Sequence, residues 1–289
     1  MFKRNKQHDA IVTENESRMM LGDNLSFAAS EAYKLLRTNV LFSLPGEQRC
    51  RIIGVTSALR GEGKSTTSIN LAYSVAQTGK NVLLLEADMR LATVAKRLEL
   101  SPSPGLSNLL VGLCTGDDTL QKSGLLDTLY VITAGDVPPN PSELLGSEQM
   151  KEALQVLSRG FDFIIIDLPP VNVVTDALIV SKLVDGMVVV VRQDYCDRQS
   201  LNEVVRQLQF AETKILGFVM TNSDVHQKGY KQYGKYGRYG RYGRYGRYGG
   251  KYGKDYGYGE EYGQNRAQSP LEKAAKRKTP KRMSVIEDD

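Results

Sequence analysis

The chain is poor in the residues that usually carry metal, redox and acid–base chemistry: three cysteines and two histidines in 289 residues. Cys50, Cys114 and Cys196 are scattered, odd in number and form no Cys-x-x-Cys pair. That excludes a disulfide framework and points to reduced thiols in a cytosolic setting. With only His8 and His226 available, a histidine general base is not expected. Long hydrophobic runs are missing as well. The longest purely apolar run, Met187 to Val191, falls far short of the roughly 20 residues of a membrane span. The first residues, MFKRNKQHDA, are basic but lead into no apolar stretch of a signal peptide. Any membrane role is then peripheral or borrowed from a partner.

Charge is unevenly distributed. The whole chain carries +5, with 38 Lys+Arg and 33 Asp+Glu. From Gly229 onward there are 15 basic and 7 acidic residues, a net of +8. The remainder, with 38−15 basic and 33−7 acidic residues, is mildly acidic at −3. A basic appendage on an acidic body meets nucleic acid, an anionic membrane or an acidic protein surface.

That appendage contains eleven tyrosines: Tyr230, Tyr233, Tyr236, Tyr239, Tyr242, Tyr245, Tyr248, Tyr252, Tyr256, Tyr258 and Tyr262. They are mostly three residues apart, set in Gly and Lys/Arg, with almost no aliphatic residue between them. Such a segment buries too little apolar surface to offset its ordering entropy, so it is expected to be disordered. Its tyrosines are open to modification, stacking or adhesion. The expected organisation is a flexible segment over residues 1–25, one domain over 26–225, and a basic Tyr/Gly-rich tail over 226–289. Arg266 to Asp289, with its acidic end, reads as a solvated extension.

The body alternates short aliphatic runs with amphipathic stretches. Ile52–Ser57, Val82–Glu86, Leu129–Thr133, Phe163–Asp167, Met187–Val191 and Ile215–Thr221 read as strands, and their near-continuous apolar character suits a parallel sheet covered on both faces. Lys64–Thr78, Pro141–Ser158, Val173–Leu183 and Arg198–Ala211 read as helices, as does Phe27–Leu44, with Ser26 as its cap. This predicts a doubly wound α/β fold, with ligands beyond the carboxyl ends of the strands.

The first strand runs into Ala58-Leu59-Arg60-Gly61-Glu62-Gly63-Lys64-Ser65-Thr66, a phosphate-binding Walker A loop with Ala58 where Gly is usual. Gly61 and Gly63 let backbone N–H groups turn toward phosphate oxygens, and the following helix adds its positive end. Lys64 suits the β/γ phosphates and Ser65 a Mg²⁺ ion. Asp167, ending the strand Phe163–Ile166 before Leu168-Pro169-Pro170, fits the Walker B carboxylate that completes the metal shell. A further strand ends in Glu86-Ala87-Asp88-Met89-Arg90. Residues i and i+2 of an extended segment share a side, so Glu86 and Asp88 read either as a solvated strand end or as a catalytic pair. Asn222 is a candidate contact for the nucleotide base. Asp176 lies near the site or caps a helix, and Arg90 reads as structural.

Together these motifs resemble the bacterial tyrosine kinase family, P-loop enzymes unrelated to eukaryotic protein kinases. The resemblance runs from about Glu31 to the tail and rests on four blocks: Ala58–Ser65, Glu86–Arg90, Asp167–Pro170 and the tyrosine cluster. It implies a P-loop NTPase fold of the deviant-Walker type and an ATP- and Mg²⁺-dependent protein-tyrosine kinase. Lys64, Asp88, Glu86 and Asp167 are then catalytic, Ser65, Asp167 and Asp88 bind Mg²⁺, and the tail tyrosines are phosphoacceptors. The family's Glu-x-x-Arg-x-x-Arg helix, which closes an octameric ring, is matched by Glu31, Lys34 and Arg37. Two residues depart from the pattern. Glu86 stands where the family has Asp, and Lys34 where it has Arg.

The resemblance further implies a soluble, Gram-positive-type member. Such a member is cytoplasmic, drawn to the inner face of the membrane by a transmembrane activator of capsular or exopolysaccharide synthesis, and opposed by a tyrosine phosphatase. Tail phosphorylation between subunits then loosens the ring, because each phosphotyrosine adds about −1.5 to −2 charges. Two other readings compete. A partition- or cell-division-type ATPase carries a signature Lys five residues before the P-loop Lys, where this chain has Leu59. A nucleic-acid binder would use the Tyr-Gly-Arg repeats for base stacking, a role the kinase reading does not call for.

Overall fold

The structure is a computed structural model that describes residues 26–44, 46 and 49–223. The eleven tail tyrosines, His226 and the segment 1–25 lie outside the described residues. Among these, sixteen elements follow in chain order: α1 (Phe27–Ser43), β1 (Arg51–Ser57), α2 (Lys64–Ala76), β2 (Val82–Glu86), α3 (Val94–Leu98), α4 (Leu106–Leu110), α5 (Gly116–Thr119), β3 (Gln121–Lys122), β4 (Leu129–Ile132), α6 (Pro141–Leu145), α7 (Glu148–Leu157), β5 (Phe163–Asp167), α8 (Asp176–Ser181), β6 (Gly186–Arg192), α9 (Arg198–Phe210) and β7 (Ile215–Thr221).

The strands form one seven-stranded sheet in the order β3-β4-β2-β5-β1-β6-β7. Every pairing is parallel except the short antiparallel β3–β4 edge. The fold is the doubly wound α/β sheet expected from the aliphatic runs. Side chains alternate between its two faces. Leu84, Ile165 and Val188 pack with Ile69, Val75 and Val40 of α2 and α1 on one side. Leu83, Leu85, Ile164, Ile166 and Val189 pack with Leu154 of α7 and Val204 and Leu208 of α9 on the other. Burial on both faces explains why the strand sequences show no polar alternation.

Boundaries moved where capping decides them. The stretch expected as one helix over Pro141–Ser158 is two. Ser147 begins the second by accepting the Met150 N–H at 3.3 Å, after α6 has closed on Gly146. The expected helix over Val173–Leu183 narrows to Asp176–Ser181; Thr175, not Asp176, stands at its N-cap position, without a side-chain cap hydrogen bond. Ser26 caps α1 as expected, its hydroxyl accepting from Ala29 N at 3.3 Å.

The connectivity positions the chemistry. β1 leads through α2 to β2, but β5 lies between β1 and β2 in the sheet. Registers pair Val55 with Asp167 and Glu86 with Asp167. Asp167 therefore stands in the gap between the ends of β1 and β2, beside the loop that leaves β1. This is a crevice at the carboxyl edge of the sheet, where such folds bind ligands.

Candidate functional site

The loop after β1 contains two left-handed residues, Gly61 (φ +78°) and Gly63 (φ +89°), a conformation in which a Cβ is strained. Gly63 occupies the N-cap of α2 and offers no side chain to the helix's first amides, which leaves them for a ligand. The positive end of a thirteen-residue helix then faces the crevice. Ala58 is fully buried in the core, Arg60 is exposed on the loop, and the Thr66 hydroxyl accepts from Arg97 Nη1 at 3.0 Å.

Lys64 and the carboxylates meet here. Lys64 Nζ lies 2.7 Å from Asp88 Oδ2 and also approaches Ser65 Oγ at 3.5 Å. Burial by itself would lower the Lys64 pKa. The charges of Asp167 and Asp88, with the direct Asp88 contact, outweigh it and raise the net value, so the ammonium is charged at neutral pH. Asp88 is also anchored by the Leu91 amide, 3.0 Å from Oδ1. Asp167 is fully buried. Burial raises its pKa above the usual carboxylate range, against the pull of Lys64 and the Ser65 and Ser68 hydroxyls. Ser68 Oγ donates to its Oδ1 at 3.0 Å, whereas Oδ2 is buried without a hydrogen-bond partner among the described residues.

Glu86 corrects the expectation that it works beside Asp88. It is fully buried, and both its oxygens are spent on backbone. Oε1 accepts from Thr93 N at 2.5 Å and Val94 N at 2.8 Å, and Oε2 from Ala134 N at 3.2 Å. The sharing of one side by residues i and i+2 holds only within a strand, and β2 stops at Glu86. The carboxylate reaches the Thr93 and Val94 amides at the start of α3. Burial raises its pKa, while these amides pull it down.

Arg90 and Asp176 form one structural unit. Asp176 is fully buried and takes Arg90 in a two-pronged contact, Nε to Oδ2 at 2.9 Å and Nη2 to Oδ1 at 3.2 Å, with the Ser142 hydroxyl completing it. Asn222 follows β7 in a left-handed conformation (φ +53°) and is exposed. On α1, Lys34 pairs with Glu31 of its own helix at 2.7 Å, and Arg37 donates to the Ser74 carbonyl at 2.7 Å.

Sequence reasoning missed three contributors. Ser68 is one turn beyond Ser65 on α2. Its sign was the unbroken polar run Lys64-Ser65-Thr66-Thr67-Ser68 at the start of an otherwise core helix. Thr221 and Arg192, at the ends of β7 and β6, reach the loop across the sheet, and no local pattern announces them. The Cys196 thiol, pushed up to about 11 by burial and by the neighbouring Glu62 carboxylate, is neutral at ordinary pH.

A largely parallel sheet with a glycine-turned loop, a half-buried lysine at a helix start and a strand-end aspartate in the adjacent crevice defines a P-loop nucleotide-binding protein. Comparison with known proteins narrows this. A family model described as an AAA domain matches residues 50–217. The tyrosine-protein kinase YwqD of Bacillus subtilis (strain 168) is 38% identical over 191 residues, 66% of this chain and 80% of that protein. The tyrosine-protein kinase CpsD of Streptococcus agalactiae is 35% identical over 191 residues, 66% of this chain and 82% of that protein. The crystal structure of the chimerical protein CapA2B2 superposes with a TM-score of 0.66 at 34% identity, over 71% of this chain and 88% of that one. The chain belongs to the bacterial tyrosine-protein kinase family.

Proposed function

We propose that this kinase binds Mg·ATP on the loop from Ala58 to Thr66 and passes the γ-phosphoryl group to tyrosines of its own tail cluster, between subunits. The observation that carries this is the Lys64–Asp88–Asp167 cluster at the mouth of a phosphate loop, in a chain that also carries eleven closely spaced tyrosines.

The residues fit a magnesium ion. Asp167 Oδ2 is a buried carboxylate oxygen without a partner among the described residues, the Ser65 hydroxyl is adjacent, and Asp88 is close enough to shift both Lys64 and Asp167. Mg²⁺ is ordinarily held by one or two carboxylates with waters and phosphates, so a denser acidic cluster is not required. Held by Ser65 and Asp167, with Asp88 near it, it would neutralise charge on the phosphate oxygens.

The chain's own groups do the rest. Nucleotide phosphates compete with Asp88 for Lys64, and their greater charge draws the ammonium to the developing phosphoryl charge. That frees Asp88 Oδ2. A tyrosine phenol, with an ordinary pKa near 10, gives up its proton to this carboxylate. Its oxygen bonds to the γ-phosphorus as the bond from phosphorus to the bridging oxygen breaks, and ADP leaves. The Lys/Arg residues that flank most of the cluster from Tyr230 to Tyr252 are attracted to the acidic crevice, and phosphotyrosine is repelled from it. The Glu31, Lys34 and Arg37 face of α1 joins subunits into a ring that loosens as tails fill with phosphate. A transmembrane activator holds the assembly at the membrane and ties it to capsular or exopolysaccharide synthesis, and a tyrosine phosphatase resets it.

The test mixes a Lys64→Ala chain, which keeps its tail, with a chain truncated before Tyr230, in Mg·ATP with the activator's cytosolic segment. Phosphate is then mapped on tail peptides. Labelled tyrosine on the Lys64→Ala partner is expected. Label on the wild-type chain alone, with none in the mixture, would eliminate transfer between subunits. ATP hydrolysis with no labelled tyrosine in any sample would remove the tail as acceptor.

A further inference from the structure

The phosphate loop contains a carboxylate, Glu62, whose charge opposes an anionic ligand. Its side chain is turned away into the protein, 1% exposed. Oε2 accepts from Leu59 N at 2.6 Å and Oε1 from Arg192 N at 3.3 Å. The Glu62 carboxylate thus ties the start of the loop to the end of β6.

The loop's carbonyls are held from the same side. Arg192 Nη1 donates to the Gly61 carbonyl at 3.2 Å, and Thr221 Oγ1 donates to the Glu62 carbonyl at 2.7 Å. The two strand ends are joined to each other, Gln193 N donating to Thr221 O at 3.0 Å. A Cβ placed on Gly63 would sit 3.4 Å from Thr221 Cγ2, so the threonine also packs against the glycine.

A trans peptide is planar, with its C=O and N–H opposed. Fixing the Gly61 and Glu62 carbonyls on the β6–β7 side therefore aims the N–H groups of Glu62 and Gly63 to the opposite side. These are the amides that a phosphate loop offers to its ligand. Left-handed glycines alone permit that orientation but do not select it, because glycine is free to adopt others.

We propose that Thr221 and Arg192 are positioning residues for the nucleotide: through the Glu62 and Gly61 carbonyls they hold the loop in the one shape that takes ATP phosphates. The proposal rests on the reading of this loop as the ATP site. A loop that spends part of its time unlatched binds more weakly by the fraction of time it is latched.

Thr221→Val removes the hydroxyl and keeps the shape, and Thr221→Ser keeps the hydroxyl. Affinity for Mg·ATP is measured by calorimetry on the full chain, alongside KM and kcat for tyrosine phosphorylation and the melting temperature without nucleotide. The valine variant is expected to raise Kd and KM about fivefold, the worth of one ordinary hydrogen bond. kcat should stay near wild type, the melting temperature without nucleotide should fall by no more than the loss of a single hydrogen bond explains, and serine should restore affinity. Valine binding as tightly as wild type, while Lys64→Ala binds poorly, overturns the proposal. So does a valine variant that loses affinity only in step with a fall in melting temperature, with serine no better. A wild-type chain that does not bind Mg·ATP at all would refute the ATP site itself.

Discussion

Asp167 is a carboxylate sealed from water, with one oxygen bonded to Ser68 and the other without a partner among the described residues. Burial dominates its pKa, which is raised, so the ionised form costs the nucleotide-free chain stability. A raised carboxylate pKa leaves stability unaffected below the unfolded value near 3.9 and subtracts from it as pH climbs above that value. Asp167→Asn is therefore expected to abolish phosphorylation yet raise the melting temperature of the nucleotide-free chain at pH 7.5, with Lys64 still paired to Asp88. The difference should shrink toward pH 4. A variant that melts lower than wild type at pH 7.5 would show that the Lys64 charge outweighs desolvation. Glu86 is also a buried carboxylate with a raised pKa, but it accepts from three backbone amides, for which the described residues show no other partner. Glu86→Ala should destabilise the fold by about 3 kcal/mol in urea unfolding, the cost of orphaning buried backbone donors. A loss under about 1 kcal/mol would mean that water reaches those amides.

Single caps decide the elements. The apolar spacing of residues 141–158 is compatible with one continuous helix, and the sequence reading took it so. The chain breaks because Ser147 offers its hydroxyl to Met150 N and so starts a new helix at Glu148. α7 then carries Met150, Leu154 and Leu157 into the core. Ser147→Ala is expected to cost about 1 kcal/mol, read as a lower urea midpoint with unchanged slope. The region from Val94 to Lys122 holds three helices of four or five residues and a two-residue strand. Elements this short leave almost no periodicity to read, and none of them was anticipated. The long strands were legible because four or more consecutive aliphatic residues flanked by turns have few other places to go.

At the scale of the molecule, the proposed ring would rest on α1. Lys34 is engaged with Glu31 inside one helix and Arg37 with the Ser74 carbonyl. A ring built on this face must exchange those contacts for ones across the interface. Lysine presents a point charge where arginine presents a planar fork able to grip a carboxylate with two bonds. Lys34→Arg is accordingly expected to shift sedimentation toward the larger assembly at a given concentration, and extensive tail phosphorylation to shift it back. An unchanged distribution for Lys34→Arg would place the ring contact elsewhere on the surface.

The order of residues was enough to determine the parallel α/β sheet, the phosphate loop from Ala58 to Thr66, and Asp167 at the end of an aliphatic strand. Each is a local pattern: a run of apolar residues, a glycine spacing, a charge at a strand terminus. Only the tertiary structure decided which side chains meet at the crevice. Inserting β5 between β1 and β2 set Asp167 beside Lys64. The fold sent Glu86 to backbone amides, and strands ending 130 and more positions downstream brought Arg192 and Thr221 onto the loop. Contacts between residues so far apart follow from how the sheet closes, which no stretch of neighbouring residues encodes.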